Sequence, residues 1–460
     1  MSQPPFGFSL PSDGGDDDPG GGGVPDNPFA AFGFGSGTGN PADIGAAFTQ
    51  LGRLLSYEGG PVNWDLARDL ARQGVAATGE DRSVGAGASR EVAEALRLAE
   101  HWLDEATALP SGVTSVAAWS RAEWVEATLP AWKTLVEPVA GQVGTAMQQL
   151  LSSQLPEEMA GQMQAMAGPL QQMMNAMGGA VFGAQLGQAL SSLASEVVGS
   201  TDVGLPLGPT GVAALLPANV TALGEGLGVP LDEVRLFLAL REAAHVRLYA
   251  HVPWLRSHVV DAIAAYGRGL HVDPEKLQEA VGRVDPSDPE ALMQAMQGGM
   301  FEVEESPAQQ AALARLETAL ALVEGWVDAV VAAAAHDRLP GAGALRETLR
   351  RRRAAGGPAE ETFATLVGLE LRPRRLREAA QLWELLREQR GTDGRDAVWA
   401  HPDLVPSAPD LDDPAAFVQG GSTDAFDLSS LEDAGPAPSG SDGGDAGDDG
   451  PAAPGGRTDA

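Results

Sequence analysis

The sequence predicts a mostly α-helical fold, on three observations: nearly every periodic segment between residues 46 and 400 has helical spacing, strand signals are few and short, and both ends are too rich in Gly, Pro and Asp to join a core. Of 460 residues, 63 are acidic and 30 basic, a formal charge of -33, and there is no cysteine. Disulfide frameworks, cysteine-ligated metals and a cysteine nucleophile are therefore excluded. A negative field of this size opposes counterion-driven binding to nucleic acid and attraction to anionic lipid, so neither is an expected partner.

The ends hold more than half of the charge. Residues 1–45 carry six Asp and no Lys or Arg, while residues 401–460 carry twelve Asp and Glu432 against a lone Arg457. The expected organisation is a disordered Gly/Pro/Asp-rich tail over 1–45, a helical domain over 46–418 and a disordered acidic tail over 419–460. Short apolar islands at 6–10, 29–34 and 417–431 could dock on a partner or on the core, although solubilising tails are the simpler reading. No basic segment followed by an apolar run opens the chain, so a cytoplasmic address is the default expectation.

Helices are expected at Asp43–Tyr57, at Asn63–Thr78 with Asn63 as N-cap, at Ser89–Ala106 capped by Ser89, and at Ser120–Leu151 with breaks near Pro130 and Pro138. The second half continues with Asp232–Ala250, Leu255–Leu270, Pro274–Val284, Asp288–Met296, Pro307–His336, Leu345–Ala354, Pro358–Leu369 and Pro373–Arg390. The best strand signals are Val203–Leu207 and Gly269–Val272. Between Met159 and Ser195 no residue is charged, but recurring Gln and the Gly168-Pro169 and Gly178-Gly179 interruptions argue against a membrane span. The methionines of this stretch read as adaptable core, and Gly179, Gly183 and Gly187 at four-residue spacing would admit a second helix closely.

Two apolar helices carry charge that needs an explanation. The segment Val234–Trp254 is apolar nearly all round, yet Arg241, Glu242 and His245 sit in its middle. Burying such groups unpaired costs several kcal/mol, so they must meet partners, a metal or a water-filled cleft. Glu242 and His245, three residues apart and about 60° around the helix, form the E-x-x-H half of the zincin motif, in which two histidines one turn apart bind zinc and the Glu is general base. Arg241 stands at the first histidine position, and a guanidinium is not a ligand.

In Thr318–Ala335 the only charges are Glu324 and Asp328, one helical turn apart. One group of zincins takes its third ligand from a Glu on a later helix, with an Asp four residues on that orients a ligand histidine. The alternative is an ion pair from Glu324 or Asp328 to Arg241 or to the arginine-rich segments that follow. His251 lies six residues after His245, the spacing of the metzincin branch, but Leu248 occupies the position where that branch has Gly. On a continuous helix His251 points about 120° away from His245, so it joins as a ligand only if the helix turns late, near Pro253; otherwise it is a histidine at a helix end. Arginines at 346–353 and at 372–377 read as partners for the chain's own carboxylates, or as a site for a substrate carboxylate or phosphate.

The runs LREAAHVRLYAHVPWLRSHV (Leu240–Val259), LETALALVEGWVDAVV (Leu316–Val330), RRRRAAGGPAEETFATLVGLELRPRRLREAAQLW (Arg350–Trp383) and WAHPDLVPSAPDL (Trp399–Leu411) resemble an actinobacterial family labelled zinc-dependent metalloprotease or hydrolase. The resemblance implies a zincin-like, largely helical domain, zinc as cofactor and a peptide or protein substrate. Carried over by residue, it makes Glu242 the general base and His245 a zinc ligand, while Arg241 departs from the motif. Two readings follow. In the first, a metallohydrolase, His245, Glu324 and His251 hold zinc, Glu242 activates water, and Asp328 supports them from behind. In the second, a non-catalytic helical scaffold on a decayed zincin fold, Arg241 pairs with Glu242 or Glu324.

Overall fold

The computed structural model describes residues 60–79, 81–153, 167–268, 306–354 and 375–420. The helices expected at 43–57, 274–284, 288–296 and 358–369, the strand at 269–272, the tail over 1–45 and residues 421–460 of the other tail lie outside the described residues.

The first helix, α1 (Trp64–Ala77), begins where Asn63 Oδ1 accepts the Leu66 amide at 3.0 Å, as expected of an N-cap. Its buried stripe of Ala67, Ala71 and Val75 recurs every fourth residue and packs on α4 (Ala167–Ala194). Gly183 and Gly187 make that approach possible: a Cβ at Gly187 would stand 2.7 Å from the Ala67 carbonyl. The described part of the charge-free stretch, from Ala167 on, thus forms one member of a closely packed helix pair.

Helix α2 (Ala86–Leu103) starts three residues before the expected cap; Ser89 lies in its first turn and bonds back to the Gly85 carbonyl. The next helix, α3 (Arg121–Ser153), runs through Pro130 and Pro138, where breaks were expected. It packs against α1, α4 and α7 (Pro253–Arg268), whose contacts hold it together across the missing amides.

Between these helices sit two four-residue strands, β1 (Ser115–Ala118) and β2 (Val212–Leu215), paired in parallel from Ser115 opposite Val212 to Ala118 opposite Leu215. Neither has a strand pattern in sequence. The strand expected at 203–207 is instead a turn-rich loop, because Gly204 adopts a φ of 79° and the amide of Gly204 closes on the Thr201 carbonyl. After the short α5 (Pro217–Gly224) the chain enters α6 (Leu231–His251), buried continuously from Phe237 to Leu248.

The other central helix is α8 (Pro307–Ala335), started by a capping box between Ser306 and Gln309 and buried throughout 319–331. Among the described residues it alone is long and apolar enough to cross a membrane, yet α6, α7 and α10 (Leu376–Asp396) cover it, which makes it a core helix. Helix α9 (Ala342–Ala354) follows it, and α10 kinks at Gly391 before two 3-10 turns and the short α11 (Ala408–Asp412) and α12 (Pro414–Gly420).

Candidate functional site

Residues 241, 245 and 249 recur every fourth position on α6 and so share one face, which is turned toward α8. Glu324 of α8 meets that face. Its Oε2 accepts Arg241 Nη2 at 2.6 Å, and its Oε1 lies 3.0 Å from His245 Nε2. A second guanidinium, that of Arg353 at the C-terminal end of α9, also pairs with Glu324 Oε2. Glu324 and His245 are each 1 % exposed, so the cluster is dry at its centre.

The electrostatics follow from that geometry. Burial by itself raises the Glu324 pKa, but the charges of Arg353, His245 and Arg241 and the His245 hydrogen bond outweigh it and hold the carboxyl well below its usual range. Tyr249 lies on the same face and donates its hydroxyl to the Gly204 carbonyl at 2.7 Å; burial, then the Glu324 charge, push its pKa upward. The loop needs glycine there, since a Cβ at Gly204 would come within 2.8 Å of Glu324 Oε1.

His245 has its other nitrogen fixed as well. Nδ1 lies 2.8 Å from the carbonyl of Arg241, an oxygen that only accepts, so Nδ1 carries a proton and Nε2 is the nitrogen aimed at Glu324.

Glu242 turns away from this cluster. Its Oε1 accepts the Ser200 amide at 3.2 Å, the Ser200 hydroxyl and the Ala214 amide at 3.1 Å. Its Oε2 accepts the Thr201 amide at 3.1 Å and the Thr201 hydroxyl at 2.6 Å. Five donors from β2 and the 200–201 segment therefore fill its lone pairs, and the side chain clamps α6 to the two-stranded sheet. Asp328 likewise has arginine partners: Arg346 Nη2 at 2.6 Å and Arg350 Nη2 at 2.5 Å both reach its Oδ2. It makes no bond to His245, whose orienting partner is the Arg241 carbonyl. His251 is exposed at the end of α6, with Nε2 3.4 Å from the Ser111 carbonyl, outside the cluster.

Of the residues singled out in sequence, Arg241, His245 and Glu324 come together, whereas Glu242, His251 and Asp328 do not join them. The two-carboxylate helix meets the alternative expected of it, with Glu324 paired to Arg241 and both acids paired to the arginine-rich helix. Tyr249, Ser200, Thr201 and Gly204 are additions, and Arg353 is the member of the expected arginine segment that reaches Glu324. Tyr249, one turn beyond His245 on the same helix face, carried a readable signal; Ser200 and Thr201, about forty residues from Glu242, carried none.

Whether zinc fits can be judged from the donors. A zincin site needs three protein ligands around an open position. Here His245 Nε2 and Glu324 Oε1 face one another, the third position is a guanidinium, and Glu324 Oε2 already holds two arginines. Among the described residues no group of three His, Asp or Glu side chains converges. The described residues, as they are arranged, do not make a zinc site.

The comparisons with known proteins agree with the architecture. No curated protein matches the sequence at a significant level. Among solved structures, a provisionally assigned hydrolase of novel fold from Chloroflexus aurantiacus superimposes with a TM-score of 0.53 at 19% identity, covering 78% of this chain and 98% of that one, a likeness of fold alone. A family model described as zincin-like metallopeptidase matches residues 62–418. The chain thus belongs to the zincin-like metallopeptidase family.

Proposed function

We propose that this protein is a metal-free member of its family that works by binding a peptide or protein partner, as a helical scaffold, and not by hydrolysis. One observation carries the reading: the carboxylate expected to ligate zinc, Glu324, is instead neutralised by the guanidinium groups of Arg241 and Arg353. Arg241 stands where the motif has its first histidine, and a guanidinium has no lone pair to offer a metal. The engagement of Glu242 with five protein donors supports the same view, because a general base needs an oxygen turned to the attacking water. A peptide-like partner is what descent from peptidases suggests.

The test is elemental analysis and zinc titration of the full chain purified without added metal. Wild type is expected to hold zinc only far below one equivalent, and Arg241→His to gain it, since His245 and Glu324 already face each other. One tightly bound zinc per wild-type chain, lost in His245→Ala, would overturn the proposal.

A further inference from the structure

Leu322 and Glu324, two residues apart on α8, project about 200° from one another, so the helix presents a second face away from the ion cluster. On that face lies a cavity of about 280 Å³ between α7, α8 and the 402–408 segment. Its floor is Leu322 and Leu255, and its aromatic wall is formed by Trp254 and Trp399, whose ring centroids are 6.1 Å apart. That wall is rigid. Trp399 stacks on Trp383 at 5.1 Å, Trp383 donates its indole N–H to the Leu322 carbonyl, and Trp254 donates its own to the Trp399 carbonyl at 2.9 Å.

Two polar side chains stand at the rim of this apolar space. Arg315 is exposed and makes no hydrogen bond or ion pair among the described residues. His258 is half-buried, packs edge-on against Trp254 and makes no hydrogen bond among the described residues. Burial, then the Arg315 charge, lower the His258 pKa against the opposing charge of Asp261, and Arg315 is the cation at the rim. Among the described residues no acidic side chain lines the cavity, in a chain where acids outnumber bases two to one. Such a space complements a molecule with a flat apolar body and a single negative charge, and its volume sets the occupant at the small end of the ligand range.

We propose that this cavity binds a small aromatic monocarboxylate, its ring laid against the Trp254–Trp399 wall and its carboxylate held by Arg315. The proposal is independent of the metal question, because it uses the opposite face of α8.

Isothermal titration calorimetry of the full chain with indole-3-acetate, and with the uncharged indole-3-acetamide as its neutral twin, tests it. The acid is expected to bind and the amide to bind about tenfold more weakly, the difference that one charge-assisted pair makes. Arg315→Gln, at an exposed position, should erase that difference while leaving the helical circular dichroism intact. Ala314→Trp, which places bulk into the cavity from an exposed helix position, should abolish binding of both probes. Failure of both probes to bind wild type overturns the proposal, as does equal affinity for acid and amide, which would mark an apolar groove for an uncharged occupant. Binding that survives Ala314→Trp places the ligand elsewhere and overturns it too.

Discussion

Replacing Glu324 with Gln keeps the side chain's shape and removes the single negative charge that Arg241, Arg353 and His245 share. Arg241, Arg353 and His245 would then face one another around a neutral amide, at a centre where Glu324 and His245 are 1 % exposed. Breaking a buried pair from one side costs about 3–5 kcal/mol because the remaining charge is desolvated without compensation, and two guanidinium groups put this case at the upper end. For a domain of this size that corresponds to a melting temperature lower by about 4–7 °C. Arg241→Met is milder, about 2 kcal/mol, because Glu324 keeps Arg353 and His245. Differential scanning fluorimetry and urea unfolding measure both, with and without chelator. Chelator should leave wild type unchanged. The reasoning fails if Glu324→Gln melts within 2 °C of wild type, if Arg241→Met proves the more damaging change, or if chelator alone reproduces the loss.

Three further outcomes follow from the same geometry. Glu242→Gln should lower stability by about 3 kcal/mol in urea unfolding, because an amide nitrogen replaces an acceptor against the Ser200 and Thr201 donors; a catalytic base in an otherwise free cleft would leave stability unchanged. Gly204→Ala should cost about 1–3 kcal/mol, since its φ of 79° disfavours a side chain and the new Cβ meets Glu324. The stability gap between wild type and Glu324→Gln should depend on pH. The folded-state pKa of Glu324 is depressed, so its contribution is complete above the unfolded value of about 4.3 and is lost as pH falls toward the folded one. The gap is expected to be flat from pH 5 to 7 and to close in acid, and a gap that widens on acidification would contradict the sign.

The helices at the centre were legible in the sequence almost to the residue. The expected spans 232–250 and 307–336 correspond to 231–251 and 307–335, because long apolar segments with clear starts leave little choice of register. The strands were not legible: β1 and β2 are runs of four mostly small residues without alternation, and a two-stranded ladder takes its stability from the helices that pack on it. In the site, the meeting of α6 and α8 could be read because a carboxylate in an apolar helix demands a cation. The identity of the second cation could not. Arg350, Arg351, Arg352 and Arg353 are alike in sequence, and only the phase of α9 sends Arg350 to Asp328, Arg351 to Glu347 on its own helix, Arg352 toward Asp202 and Arg353 to Glu324.

That phase also explains how an acidic chain sustains a departure from the zincin motif. Two carboxylates one turn apart on a buried helix need positive charge wherever the fold brings it, and a metal ion is one way to supply it. Here the supply is distributed: Arg241 from α6 and Arg353 from α9 meet Glu324, while Arg346 and Arg350 meet Asp328. Each acid faces two guanidinium groups, so no single arginine neutralises the site and the loss of one is partly buffered by its neighbour. Helix α9 is therefore bound to the core mainly through charge, with Leu345 and Leu349 as its buried apolar contacts. A screening effect separates this arrangement from a metal centre. Raising ionic strength weakens the half-exposed Arg346–Glu384 pair that flanks the helix but leaves the buried pairs to Glu324 and Asp328 nearly untouched, whereas a chelator acts on a metal site and not on guanidinium–carboxylate pairs.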